Sequence, residues 1–392
     1  MLNISKQCII IGTGPAALMA ASTLCKLGIT PDVYEKRAAA GWKLLVAGSS
    51  GLNISYHCTE EELLQYYDSS ELKKSFNFFS RESWIEFLHS LGEETFLGTS
   101  KRYFVKNKTA SSLLNSWQKK LQEQNVSFYF EHELKNFTVL ENQEIEVEFE
   151  NGNKVQTKTL LLALGGASWL NEKPKWTSIF NNIHFTDFTP ANAGYHLQAP
   201  EEFFLHAEGK PIKGLTLKTK LGEKQGELMI TKYGLEGTPI YTMGCIGEAT
   251  LDLKPDLSEE KLIARLKNAP GNLENRLLKA AKLSDGALLL VKYLAPKEAW
   301  ENNVSLAKFI KNFPITLTVQ RPLSEAISSQ GGINWSELTD SLELRKFPGV
   351  FCAGEMINWH APTGGFLIQA CVSTGALAAD GIAKKLNPSA QK

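Results

Sequence analysis

Gln7-Cys8-Ile9-Ile10-Ile11-Gly12-Thr13-Gly14-Pro15-Ala16-Ala17, continued to Lys36, is the stretch from which the rest of the chain can be read. Cys8 to Ile11 is a short apolar run suited to a parallel strand covered on both faces, and it stops at a GxGxxA pattern. Gly12 permits a tight turn, Gly14 leaves room for a pyrophosphate, and Ala17 is small enough for a helix to pack on the strand. The helix should run to about Leu27, with Pro15 tolerated at its start and Gly28 placed to stop it. Its first amides, from Ala16 onward, and its positive dipole end face the phosphates. Pro31 to Glu35 reads as the second strand, ending on an acid about twenty residues past the glycines, where a carboxylate accepts both ribose hydroxyls. Glu35, followed by Lys36, is that acid. The combination predicts an adenine dinucleotide site, and the acid favours FAD or NAD over NADP.

The 392 residues suit two or three domains. Lys plus Arg and Asp plus Glu balance at 42 each, so no global field recruits nucleic acid or an anionic membrane. No apolar run is read as a bilayer span, and the first one is used in the glycine motif, so the expected location is cytoplasmic. Six scattered cysteines form no CxxC pair and no cluster with metal-ligand spacing, so buried thiols and no metal site are expected.

Beyond Glu35, the segment from Gly41 to Asn53 is rich in glycine and serine and reads as an irregular, buried functional loop. Trp42, Lys43, Gly48, Ser49, Gly51 and Asn53 are its candidate ligand contacts; the other reading is a plain connection. Thr59 to about Leu91 reads as amphipathic helix with Trp84, Phe87, Leu88 and Leu91 on a core face. Gly98 to Phe104 either lines a pocket or forms a solvated basic turn. A helix from Ser111 to Gln124 and a strand from Val126 to Phe130 follow. Two alternating runs, Phe137 to Leu140 and Glu144 to Phe149, then lead through Asn151-Gly152 into Val155 to Leu164. That last strand becomes wholly apolar, as if a meander re-entered the parallel sheet, and Gly165-Gly166 marks a return to the cofactor. Thr189 to Leu253 is strand-like and suggests a separate β domain. Leu257 to about Phe313 is helical and reads as an insertion within it, with Pro314 to Gln320 resuming a strand.

Near the far end, Pro348 to Glu355 gives a turn, a short apolar strand, Gly354 and a second terminal acid. Pro362-Thr363-Gly364-Gly365 then opens a small-residue helix from Phe366 to about Lys384. Such a pattern suits a flavin: Glu355 can accept ribitol hydroxyls, and amides from Gly364 to Phe366 can donate to the pyrimidine edge of an isoalloxazine.

These motifs resemble the BaiN-like (YhiN-like) bacterial flavoproteins. The resemblance rests on GTGPAA with Glu35, GWKLLVAGSSGLN, ALGGAS, TKYGLEGTP from Thr231 to Pro239, and FCAGEMINWHAPTGGFLIQA. It implies an α/β chain with a Rossmann-like FAD-binding domain assembled from both chain ends (1–188 and 334–392). It further implies an inserted, β-barrel-like domain (189–256 and 313–333) and a helical insertion (257–312). The subgroup with GLN and APTGG is the nearer one. Trp42 stands where the family usually has arginine, Gly51-Leu52-Asn53 where many members have GRCN, and Lys101 where the subgroup tends to have glycine. Members act on different small molecules, from an aminoketone to a steroid enone.

The expected function is therefore an FAD-dependent oxidoreductase moving a hydride between flavin and a small organic substrate held beside the flavin domain. Asn358, Trp359 and His360 are the catalytic candidates because they precede the glycines expected to touch the ring, with His360 as a proton donor. No second GxGxxG marks a nicotinamide domain, which leaves transient NAD(P)H docking or reoxidation by oxygen. A non-catalytic redox sensor is the alternative from another class. The oligomeric state stays open.

Overall fold

The computed structural model describes residues 6–48, 51–106, 109–180, 182–271 and 276–388, so Ser49 lies outside the described residues. Contacts divide the chain into one unit of residues 1–189 and 329–392 and a second of residues 190–328.

The first unit is built on a sheet seeded by the glycine motif. β1 (Lys6–Ile11) turns at Gly12 into α1 (Pro15–Lys26), and β2 (Asp32–Tyr34) returns parallel to β1. α2 (Trp42–Ala47) and β3 (Asn53–Tyr56) come next. α3 (Glu60–Leu64), α4 (Leu72–Phe78) and α5 (Arg81–Ser90) precede the β4 (Thr95–Leu97) and β5 (Arg102–Val105) hairpin. α6 (Ala110–Glu123) leads to β6 (Ser127–Tyr129), parallel to β2. β7 (Leu134–Val139), β8 (Ile145–Phe149) and β9 (Lys154–Leu162) form an antiparallel meander.

β9 serves two partners along one edge. Residues Lys154 to Thr157 pair antiparallel with β8, and Leu160 to Leu162 pair parallel with a strand from the far end of the chain, while β1 lies along the opposite edge. The switch from alternating to wholly apolar sequence marks this change of partner, since the second half is covered on both faces.

β10 (Phe185–Ala191) pairs with the later β17 (Ser328–Ile333). The second unit contains β11 (Tyr195–Leu197), α7 (Glu201–Ala207), β12 (Pro211–Thr219), β13 (Gly222–Ile230), β14 (Gly234–Glu236), α8 (Thr238–Met243) and β15 (Gly247–Asp252). α9 (Glu259–Asn268), α10 (Asp285–Leu294), α11 (Asn303–Lys311) and β16 (Phe313–Gln320) complete it. Its strands close a barrel in the order β11-β14-β13-β12-β15-β16, and Leu262, Leu290 and Ile310 from the helices share one core with Leu217, Leu251 and Phe313 from the strands.

β18 (Val350–Cys352) and α12 (Phe366–Leu386) end the first unit. At 21 residues α12 is long and apolar enough to span a membrane, so the sequence does hold one such run, contrary to the reading above. Its most apolar window is 83% buried inside the protein, where the helix packs on α1 and α4. Small residues let it come close: a Cβ at Gly375 would lie 2.2 Å from the Ala16 carbonyl oxygen.

Two sequence expectations are corrected, and a third, left open between a pocket lining and a solvated turn, is decided for the turn. Gly41 to Asn53 contains a helix and the start of a strand, because left-handed Gly41 is the N-cap of a six-residue helical turn of apolar residues. Thr59 to Leu91 is three helices: the first opens on the Thr59 capping box with Glu62, the second restarts at Leu72 without a side-chain cap, and the third restarts at the Ser80 cap. Gly98 to Phe104 is a hairpin turn entering β5 with Lys101 at φ 59°, a conformation that costs a side chain and favours the subgroup's glycine.

Gly375→Val forces backbones apart at the α1–α12 contact, so it should lower stability by about 2–3 kcal/mol in urea unfolding. An unchanged midpoint would show that the helices do not touch there.

Candidate active site

The glycine turn opens a cleft of about 1090 Å³, its mouth included, at the end of the parallel strands of the first unit. Gly12, Gly14, Pro15, Ala16, Glu35, Lys36, Trp42, Lys43, Gly165, Gly354 and Glu355 all line it. The two motifs from opposite chain ends are thus brought to one cavity by β1 and β18, which flank β9.

Gly12 has φ 109°, and a Cβ there would sit 2.4 Å from the Ala163 oxygen, whereas a Cβ at Gly14 would meet open space. The first glycine is demanded by the turn. The second leaves room for a ligand. Pro15 begins α1 directly behind, and Ala17 is fully buried on it, away from the cleft lining.

Glu35 is held by two donors: the Thr13 hydroxyl donates to Oε2, and the Arg37 amide donates to Oε1 at 3.0 Å. Thr13 Oγ1 also accepts from the Gly41 amide at 3.1 Å, so one hydroxyl ties the first turn, the acid and the start of α2 together. Lys36 reaches Glu133 at 3.9 Å, and the Arg37 guanidinium stacks 3.9 Å over the Trp42 ring. Thr13, Arg37, Glu133 and Cys371 line the cleft without having been singled out in the sequence. Thr13 occupies the variable position of GxGxxA, where only its hydroxyl gives a signal.

Lys43 Nζ donates to the Gly166 carbonyl at 2.9 Å and to Ser168 Oγ at 3.1 Å. Burial pushes its ammonium below the ordinary lysine range, against the pull of Glu355. Gly354 adopts φ 79° and donates its amide to Thr374 Oγ1 at 3.0 Å, which fixes the second acid's peptide to α12.

The remaining candidates fall elsewhere. Gly48 caps α2 against Ala110, Gly51 has φ 127°, and Asn53 lies on β3 with Oδ1 buried and without a partner among the described residues. Ser55 Oγ is likewise unpartnered. Thr363, Gly364, Gly365 and Phe366 lie at the start of α12, outside the lining of the cleft. A Cβ at Gly365 would lie 2.5 Å from the Ser55 amide nitrogen and one at Gly364 2.9 Å from Arg102 Nε, so close packing on β3 and β5 already requires both glycines.

Asn358 lines a second, polar depression of about 910 Å³, its open mouth included, with Asp68, Glu71, Asp187 and Trp335, and donates to Thr186 and Asn334 at 3.1 Å. Trp359 is 2% exposed, and its indole N–H donates to the Gly354 carbonyl at 3.0 Å. His360 donates its amide to Asp68 Oδ1 at 2.6 Å while Nδ1 is buried without a partner among the described residues. Burial holds its imidazole below the ordinary value despite Asp68, which disfavours the protonated form that a proton donor needs. None of the three lines the main cleft.

The sequence matches the HI0933-like protein Rossmann domain family over residues 6–381. A relative from Clostridium scindens, a 3-dehydro-bile acid delta(4,6)-reductase, is 21% identical over 96% of this chain and 98% of its own. Among solved structures, an E. coli quinol fumarate reductase superposes with a TM-score of 0.51 at 15% identity over 100% of this chain and 72% of that one. A 3-ketosteroid delta1-dehydrogenase from Sterolibacterium denitrificans gives 0.51 at 11% identity over 97% and 100%. At these identities the superpositions show a shared fold.

Trp359→Phe removes one of two donors to the Gly354 carbonyl, the Ile357 amide at 3.1 Å being the other, and should destabilise the protein by about 0.5–1.5 kcal/mol, read from chemical unfolding. A variant of native stability would show that this bond holds nothing.

Proposed function

Because the chain belongs to the HI0933-like family of Rossmann-domain flavoproteins, that of the BaiN-like proteins its motifs resemble, we propose that it transfers a hydride between FAD and a small organic substrate. It is an FAD-dependent oxidoreductase; the substrate, electron donor and direction of transfer are our reading.

The observation that carries the proposal is the single cleft into which both chain-end motifs, with Glu35 and Glu355, are brought. Its residues fit FAD. The space beside Gly14 admits a pyrophosphate near the first amides of α1, and Glu35 keeps lone pairs for ribose hydroxyls after accepting from Thr13 and Arg37. Glu355, on the wall of the same cleft, would accept ribitol hydroxyls. Bound there, the isoalloxazine would supply the centre that takes up or gives up a hydride.

The Clostridium scindens relative, a reductase of a 3-dehydro-bile acid, makes a conjugated ketone the first substrate class to test. NAD(P)H is the proposed donor, docking transiently because the sequence has no second GxGxxG. The decisive measurement is stopped-flow reduction of the holoenzyme by NADH and by NADPH, followed by reoxidation with a steroid enone or with air. Reoxidation by the enone supports a reductase; reoxidation by oxygen alone points to an oxidase; no reduction by any donor removes the hydride-transfer reading.

The purified protein should release FAD, not FMN, on denaturation. Glu35→Ala should weaken FAD binding at least tenfold, since charge-assisted hydrogen bonds contribute about 1.5–3 kcal/mol each. Equilibrium dialysis checks this, and undiminished affinity would show that the carboxylate does not meet the ligand.

A further inference from the structure

Lys43 is a partly buried lysine on the wall of a ligand cleft, its ammonium held by neutral oxygens. Two of its three N–H donors are used by Gly166 and Ser168, and among the described residues no carboxylate forms an ion pair with it. Buried charges are otherwise paired, because desolvation without a counter-charge costs several kcal/mol.

The groups around it make the deficit larger. Lys36 and Arg37 act on it as further cations, and Glu355 acts on it as an opposite charge from beyond contact distance. Cys371 is also near, but burial raises its thiol well above the ordinary range and keeps it neutral. Glu35 is occupied by Thr13 and Arg37, and Lys36 is shared with Glu133.

We propose that Lys43 is the counter-cation of the cleft, held by the protein without an ion-pair contact so that negative charge on the bound dinucleotide completes its ion pair. The proposal rests on the cleft being the FAD site. Two parts of FAD can supply that charge: the pyrophosphate, present from the moment of binding, and the pyrimidine edge of the isoalloxazine, which gains charge on reduction. In either case a proton is drawn onto Lys43 at the step that brings the charge, because that step raises an affinity for protons which burial had lowered.

The sign follows. Below the depressed value of the unliganded protein Lys43 is already charged and the step takes up no proton. Above it the step takes up one, so affinity or potential falls as pH rises, until the higher liganded value is passed.

The test uses apoprotein freed of FAD and reconstituted holoenzyme of wild type, Lys43→Met and Lys43→Arg, with circular dichroism confirming the fold of each. Affinity for oxidised FAD and for ADP-ribose is measured between about pH 6 and pH 10, and the midpoint potential is measured by reductive titration. If the pyrophosphate is the partner, Lys43→Met loses about tenfold or more in affinity for both ligands with no change in potential. Wild-type affinity then falls toward tenfold per pH unit, and Lys43→Arg, always charged, binds with a flat profile. If the ring edge is the partner, both affinities hold and the Lys43→Met potential drops by about 30 mV per tenfold of lost preference for the reduced form. Unchanged affinity and unchanged potential in Lys43→Met would overturn the inference while leaving the FAD site standing. A wild-type protein that binds neither ligand would remove both.

Discussion

The contact of Gly375 with the Ala16 backbone is the constraint on which the site depends. It sets α12 directly on α1, the helix that opens the dinucleotide turn, and no side chain can stand between them. Thr374, the adjacent residue, then reaches the Gly354 amide, and a Cβ at Gly354 would sit 3.0 Å from Ala16 Cβ. One close crossing thereby places the acid of the last motif opposite the glycines of the first. A looser pairing would leave two half-sites.

How legible this was depends on what each residue answers to. The β1-turn-α1-β2 unit could be read directly because glycine conformation, strand apolarity and helix stop signals all act within about thirty residues and agree. The return of β9 to the parallel sheet was legible too, from its shift to continuous apolarity. What misled was local composition under tertiary control. Gly41 and Gly48 looked like marks of an irregular loop, yet they bound a short helix whose glycines fit against Leu114 and Ala110. Likewise, the long amphipathic pattern after Thr59 concealed two restarts, one marked by the Ser80 cap and one, at Leu72, with no side-chain cap to mark it.

The site shows the same division. Residues that must be small or acidic, such as Gly12, Gly14, Glu35, Gly354 and Glu355, announce themselves by type. Thr13 does not, because its role comes from three-dimensional neighbours, a hydroxyl bridging two segments; Lys43 is marked as a ligand contact by its loop, but its setting without a paired anion is not. Proximity along the chain was also a poor guide at Asn358-Trp359-His360. Three consecutive residues part there: Asn358 lines a polar depression, Trp359 enters the core, and His360 is half-buried with its amide on Asp68.

The double partnership of β9 has a consequence for synthesis. On the ribosome the strand is complete at Leu162, but the partner of its second half, Val350 to Cys352, emerges only after the whole barrel unit, and α12 later still. Until then an apolar strand edge and the uncovered face of α1 stand open in a nascent chain, the kind of surface that chaperones hold and that aggregates when they do not. Vectorial folding thus leaves the dinucleotide turn waiting for its last wall. Truncation from the C-terminus should therefore abolish cofactor retention before it disturbs the barrel.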